Sequence, residues 1–240
     1  MWAASFAHPL ECSPQMAEAA GDNTTHGVSY FAIPGRGEVV RLMLVLGGIP
    51  FREDFIDFAQ WPARKAKARW GVVPNLTLPN GSVHGQSRAL LRYLGKIVQH
   101  GGTPLYPSDP VEALVADEVS DFIEDIWGKL LEARNAKACA ALLEPGAEGA
   151  TMLDQLEASV QGPYVCGSSA STADVYIFAA FAWWASGFFK GATVANLVGD
   201  GRPKLKQLIE QVGQFERVKQ YYAAKKLQPM ERVYGQFCKL

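Results

Sequence analysis

Apolar residues recur along this chain with two periods, and the period changes once. Val39, Leu42, Met43 and Leu46 fall at i, i+3, i+4 and i+7, one face of a helix that Gly47-Gly48 ends. A short strand is expected before it, over Val28 to Ile33, and a second after it, over Phe51 to Asp57. The basic stretch from Trp61 to Trp70 reads as a helix. Leu76-Thr77-Leu78 and Ser82-Val83-His84 flank Pro79-Asn80-Gly81, and Asn-Gly between extended runs signals a hairpin. Gly85-Gln86-Ser87 then opens a helix carrying Leu90, Leu91, Leu94, Ile97 and Val98. The order strand, helix, strand, helix, hairpin, helix predicts an α/β layer over residues 27–101.

After residue 101 the pattern becomes helical throughout. A turn-rich linker, 102–110, holds Pro104, Pro107 and Pro110. Val111, Leu114, Val115, Val119, Phe122 and Ile126 then trace one stripe of a long helix. Further helices are expected over Met152 to Val160, Pro203 to Val212 and Val218 to Lys226. Ser171-Thr172-Ala173-Asp174 has capping-box form, with Asp in place of Glu or Gln, ahead of an apolar helix. No strand period or internal repeat breaks residues 111–240. The fold class is therefore α/β followed by all-α, and the first unit resembles thioredoxin. Residues 1–26 hold no Lys or Arg, which a secretory or mitochondrial leader would want. They read as a poorly ordered extension, with an alternative start upstream of Met16 or a local anchor at Trp2 and Phe6 as further options.

Composition narrows the function classes. Of 240 residues, 48% are hydrophobic and 20% charged, as in ordinary globular proteins. A net charge of −1 argues against nucleic acid as a partner. No apolar run reaches the roughly 20 residues of a membrane span. Cys12, Cys139, Cys166 and Cys238 form no CxxC pair or ligand cluster, so a reducing, cytoplasmic setting fits better than a disulfide scaffold. The same spacing excludes dithiol redox chemistry at the end of the first strand.

Candidate chemistry gathers in three places. Val73-Pro74 ends a turn, Gln86-Ser87 begins a helix, and Tyr30-Phe31 closes the first strand. A helix start attracts a carboxylate through its free amides and dipole. In combination these residues resemble the glutathione transferase family, specifically its tyrosine-type, sigma-like group, over about Val28 to Lys226. The resemblance implies that Tyr30 is the catalytic phenol and that Arg36, in its Gly-Arg-Gly frame, sets the electrostatics beside it. Trp61 and Lys65 would hold the glycyl carboxylate of glutathione, with Arg64, Lys67 and Arg69 as competing cations. Pro74 would be cis, leaving the Val73 backbone to pair with the cysteinyl residue. Gln86 and Ser87 would hold the γ-glutamyl carboxylate. Asp125, from the other subunit of a homodimer, would meet the γ-glutamyl ammonium.

A thiol with a pKa of about 8.5 is mostly protonated at neutral pH. A phenol donating a hydrogen bond to the thiolate favours ionisation, and a shift of about 2 units corresponds to roughly 2.7 kcal/mol. Ser29 precedes Tyr30 and keeps a serine-type reading open, but adjacent strand residues face opposite ways and only one serves the site.

An apolar electrophile would meet Ile33, Trp127 and Leu131, with Ala32, Pro34, Trp183 and Phe237 as further lining. Asp117, Asp121 and Asp125 form an acidic face, and Arg88, Arg92 and Lys96 a basic stripe that would meet it across a dimer axis or else face water. In sigma-type members, residues spaced like Asp121, Glu124 and Asp125 gather a divalent ion; a hard cation needs several oxygens in fixed geometry, and no metal is expected here. The Pro74-to-Gln86 interval is one residue longer than in many sigma-type chains. Glutathione is thus expected as co-substrate, with conjugation of electrophiles as the activity. A glutathione-dependent isomerase of the prostaglandin D synthase kind and a non-catalytic relative are the alternatives.

Overall fold

In a computed structural model of the chain, residues 25–225 and 232–238 are described. The extension read over residues 1–26, with Trp2 and Phe6, lies outside them except for its last two residues. His26 already belongs to the first strand, β1 (His26–Phe31). β1 pairs in parallel with β2 (Phe51–Ile56) and antiparallel with β3 (Asn75–Thr77), which pairs antiparallel with β4 (Val83–Gly85). The sheet order β2-β1-β3-β4 is that of a thioredoxin-like layer. The β3–β4 turn closes as the Asn-Gly signal predicts: Leu78 N–H donates to Ser82 C=O at 2.9 Å and Gly81 N–H to Leu78 C=O at 2.8 Å.

Three helices accompany the sheet: α1 (Gly35–Gly47), α2 (Trp61–Lys65) and α3 (Ser87–Ile97). Gly48 (φ 60°) ends α1 and donates to the Leu44 and Val45 carbonyls. The expected helix over Trp61 to Trp70 is broken. α2 stops at Lys65 and a single 3-10 turn follows at Arg69–Gly71, with Trp70 in the left-handed region at φ 61°. Val98, read as part of the α3 apolar set, instead follows the helix in extended conformation. The linker is not purely turns either: β5 (Gln99–His100) and β6 (Thr103–Pro104) pair around Gly101 and Gly102, both at positive φ.

The remaining helices are α4 (Pro110–Glu132), α5 (Ala136–Leu142), α6 (Glu148–Ser159), α7 (Thr172–Trp183), α8 (Val194–Val198), α9 (Pro203–Gly213), α10 (Glu216–Ala224) and α11 (Arg232–Cys238). Every residue of α7 is buried, as a helix apolar on all sides must be. Asp174 secures its start: its carboxylate accepts from Ser171 N–H (2.6 Å), Ser171 Oγ–H (2.7 Å) and Val165 N–H (2.8 Å). The core runs from β1 and α1 through α7 to α9 and α11.

Two polar clusters join the layer to the helices. On one side the charged stripes of α3 and α4 meet within a single chain. Arg88 pairs with Asp121, Arg92 reaches Asp117 at 3.4 Å, and Lys96 sits over the Tyr106 ring, whose hydroxyl donates to Asp117 at 3.0 Å. Arg88 and Arg92 thus find carboxylates within their own chain, while both pairs remain open to solvent. On the other side Glu38 and Arg41 of α1 are buried with Glu53 of β2. Tyr222 of α10 donates to Glu38 at 2.7 Å, and Lys225 approaches it at 3.7 Å.

Candidate functional site

Tyr30 ends β1 with its side chain turned onto α1, and it is 7% exposed. Two glycines make room for the ring. A Cβ on Gly35 would lie 2.6 Å from the phenolic oxygen, and one on Gly37 would lie 2.5 Å from Cδ1. Gly35 also sits at φ 48°, where a side chain is strained. Between them, the Arg36 N–H donates to the Tyr30 hydroxyl at 3.1 Å. The oxygen is thereby oriented, and its own proton remains to be donated. Burial raises the Tyr30 phenol above its ordinary value, outweighing the Arg36 N–H and the Arg36 and Arg41 charges that favour the anion. The group therefore stays a neutral donor at physiological pH. Gly37→Ala is expected to cost about 1–3 kcal/mol by overpacking and to lower turnover by moving the ring. Wild-type melting together with wild-type activity would show that the ring has room.

Ser29 faces the other way. It pairs across the sheet with Asp54 of β2, whose carboxyl is held below the usual range chiefly by its hydrogen bonds from Arg64. Arg64 meets Asp54 at 2.5 and 3.0 Å, which occupies one of the cations considered for the glycyl carboxylate. Lys65 is exposed at the end of α2, and its stem runs past Gly71. Trp61 starts α2, its ring edge-on to Phe31 at 5.5 Å, while Phe58 stacks on the other side of Phe31 at 4.4 Å.

The Val73–Pro74 peptide is cis. Neither the N–H nor the C=O of Val73 finds a hydrogen-bond partner among the described residues. Asn75 shapes this loop, and the sequence pattern did not single it out. It is buried, its amide donates to Val72 C=O at 2.5 Å, and its oxygen accepts from Arg69 N–H at 3.1 Å. Gln86, exposed at the start of α3, adopts φ 73° and ψ 101° and does not cap the helix with its side chain. Such a backbone costs about 1–3 kcal/mol and persists where surroundings enforce it. The first amides of α3, beginning at Ser87, are thus left for an anion.

Arg36 turns its guanidinium to α4. Its Nε lies 3.0 and 2.9 Å from the two Glu124 oxygens and its Nη2 2.7 Å from Oε2. The cation also covers the Trp127 ring, 4.4 Å from its centroid. Glu124 accepts as well from the Tyr176 hydroxyl of α7. Burial raises the Tyr176 phenol well above its usual value, and Glu124 adds to this. Tyr30, Arg36, Glu124 and Tyr176 are therefore one connected set. Glu124 and Tyr176 were not legible as its members, because 88 and 52 residues separate the bonded pairs.

The other expected residues are more scattered. Ile33 is half-buried in the loop after β1. Trp127 is 3% exposed, packed in the core edge-on to Trp184. Leu131 is 50% exposed near the end of α4. Asp125 is exposed and has no hydrogen bond or ion pair among the described residues. Of the acidic trio considered for a cation, Asp121 and Glu124 are held by Arg88 and Arg36.

A thioredoxin-like layer followed by a helical domain is the arrangement that comparison with known proteins also finds. Residues 37–97 match the family model described as the glutathione S-transferase N-terminal domain, and residues 121–225 match its C-terminal domain. The chain belongs to the glutathione S-transferase family. Glutathione S-transferase 1 of Ascaris suum is 28% identical over 216 residues, 84% of this chain and 97% of that protein. The hematopoietic prostaglandin D synthase of Gallus gallus is 33% identical over 98 residues, 41% of this chain and 46% of that protein. The crystal structure of the glutathione S-transferase from Ascaris lumbricoides superposes with a TM-score of 0.69 at 27% identity, covering 85% of this chain and 99% of that one. Among the described residues no helix is long and apolar enough to cross a membrane.

Proposed function

We propose that the protein ionises the thiol of bound glutathione and conjugates it to apolar electrophiles. The observation that carries this is the Tyr30 hydroxyl, fixed by the Arg36 N–H with its own proton free to donate. Around it, the unpaired Val73 backbone suits the cysteinyl residue and the uncapped start of α3 suits the γ-glutamyl carboxylate. Trp61 and Lys65 supply donors for the glycyl carboxylate. With Arg64 taken by Asp54, Lys65 is favoured over its neighbour. The bound thiol gives up its proton, the thiolate forms a carbon–sulfur bond, and the electrophile's leaving group or carbanion takes the charge away.

The same reading makes the protein a cytoplasmic, detoxifying homodimer, with the exposed Asp125 reaching the γ-glutamyl ammonium of the other subunit. Ile33 is the part of the proposed electrophile wall that lies nearest Tyr30 in the chain, and Leu131 would join it from α4. Likeness to a prostaglandin D synthase supports a second reading, isomerisation in which the thiol attacks and is later released.

Stoichiometry tests the proposal. With an activated aryl halide, glutathione should disappear one-for-one with product. Product without glutathione loss, on a lipid endoperoxide, would favour the isomerase. Tight glutathione binding with no turnover across a broad electrophile panel would leave a carrier and overturn the proposal.

A further inference from the structure

Glu124 occupies an unusual place for an acidic residue. It lies beside the phenol that is to stabilise an anion, and its charge opposes that anion: at the Tyr30 hydroxyl, Arg36 favours ionisation and Glu124 disfavours it. Its carboxylate grips the Arg36 guanidinium on two nitrogens, and the same arginine supplies the N–H that orients Tyr30. On its far side it accepts from the buried Tyr176 of α7. The carboxylate thus joins the Arg36 and Tyr30 pair to the core helix α7.

The charged surroundings of this residue are few. From β1 it faces Tyr30, and from α1 Arg36, with Arg41 deeper in the same helix acting on Tyr30. From α7 it faces Tyr176. Its own helix adds Asp121, which Arg88 of α3 holds, and the exposed Asp125. Arg36 is therefore the nearest cation, and Glu124 neutralises it.

Resting on the glutathione reading above, we propose that Glu124 is a positioning residue that restrains ionisation of the bound thiol: it fixes Arg36 against Tyr30 and cancels the charge that would otherwise pull the thiol proton off. The anion accepting the Tyr30 hydrogen bond lies one bond beyond the hydroxyl that already feels both charges. Removing the carboxylate charge leaves an unopposed guanidinium there, and an opposite charge at close range lowers an acid's pKa by about one unit or more.

The test reads thiolate directly, by ultraviolet difference absorbance of glutathione bound to the whole protein across a pH series. Glu124→Gln keeps an acceptor for Arg36 and Tyr176 and removes the charge. Its bound-thiol pKa should fall about one unit below wild type, giving about tenfold more thiolate at a pH below both values. Tyr176→Phe keeps the charge and should leave the thiol pKa where it is. An unchanged or raised pKa in Glu124→Gln overturns the inference. An equal shift in Tyr176→Phe overturns it too, because loosening rather than charge would be the cause. Failure of the underlying reading looks different: wild-type protein would then show no thiolate easier to form than in buffer.

Discussion

Tyr30→Phe should lower kcat/KM for conjugation about 100-fold at neutral pH and leave glutathione affinity within about threefold, if the phenol depresses the thiol pKa by about 2 units. The substitution isolates one proton. A phenylalanine ring keeps the packing against Gly35 and Gly37 and the edge contact with Phe31, whose centroid lies 5.5 Å away. The proposed carboxylate contacts, at α2 and at the start of α3, are untouched. What disappears is the donor to the sulfur and the acceptor of the Arg36 N–H. The second loss leaves a backbone donor unpaired and should cost about 1–3 kcal/mol of stability, a separate effect visible in melting. The pH profile distinguishes the two. The ascending limb of kcat/KM should move upward by about 2 units, so the variant recovers activity in alkali. A mere packing defect would scale the whole profile down without moving it. Unchanged turnover would remove Tyr30 from the mechanism.

How much of this was legible follows from how local each feature is. Tyr30, Val73-Pro74 and Gln86-Ser87 are each readable because the backbone around them is set by near neighbours: a strand end, a prolyl turn and a helix start. The Asp174 capping box is local for the same reason, and its hydrogen bonds form within the first turn of α7 and to Val165. The Trp61 to Trp70 segment misled because its composition suits a helix, whereas Asn75 holds Arg69 N–H and Val72 C=O from outside the segment. The acidic face of α4 read as a solvated or intersubunit surface, and Asp125 is indeed exposed. Asp121, Asp117 and Glu124 instead meet Arg88, Arg92 and Arg36, which only the folding of α3 and α1 against α4 brings near. α5, α8 and α11 passed unnoticed for another reason: seven, five and seven residues carry too little period to register.

The largest loss of stability is expected at Arg41, where no sequence motif pointed. Its guanidinium is 2% exposed and meets Glu53 at 2.7 Å, Glu38 at 3.0 Å, and the carbonyls of Ile33 (3.2 Å), Pro34 (3.4 Å) and Phe31 (3.4 Å). It therefore ties down the loop that leaves Tyr30, and through Glu38 ties that loop to Tyr222 and Lys225 at the far end of the chain. Burial opposes the Arg41 charge, but Glu53 and Glu38 outweigh it and raise its pKa. Burial alone would likewise push the Glu38 carboxyl up, yet Lys225 and Arg41, with the Tyr222 hydroxyl, hold it below the usual range. Arg41→Leu strands two carboxylates and three carbonyls, and breaking such a pair costs about 3–5 kcal/mol, read as a lower urea midpoint. A depressed carboxyl contributes stability above its unfolded pKa, about 4.3 for glutamate, and loses it as pH falls through the folded value. Glu53 behaves oppositely, burial holding its carboxyl above the usual range even beside Arg41. In Arg41→Leu burial would raise Glu38 as well, so protonation would relieve the variant in acid, whereas in the wild type it removes the Glu38 contribution. The gap between the two should therefore be widest near neutral pH and narrow towards pH of about 4. A constant gap across that range would mean that Arg41 acts by filling space rather than by charge.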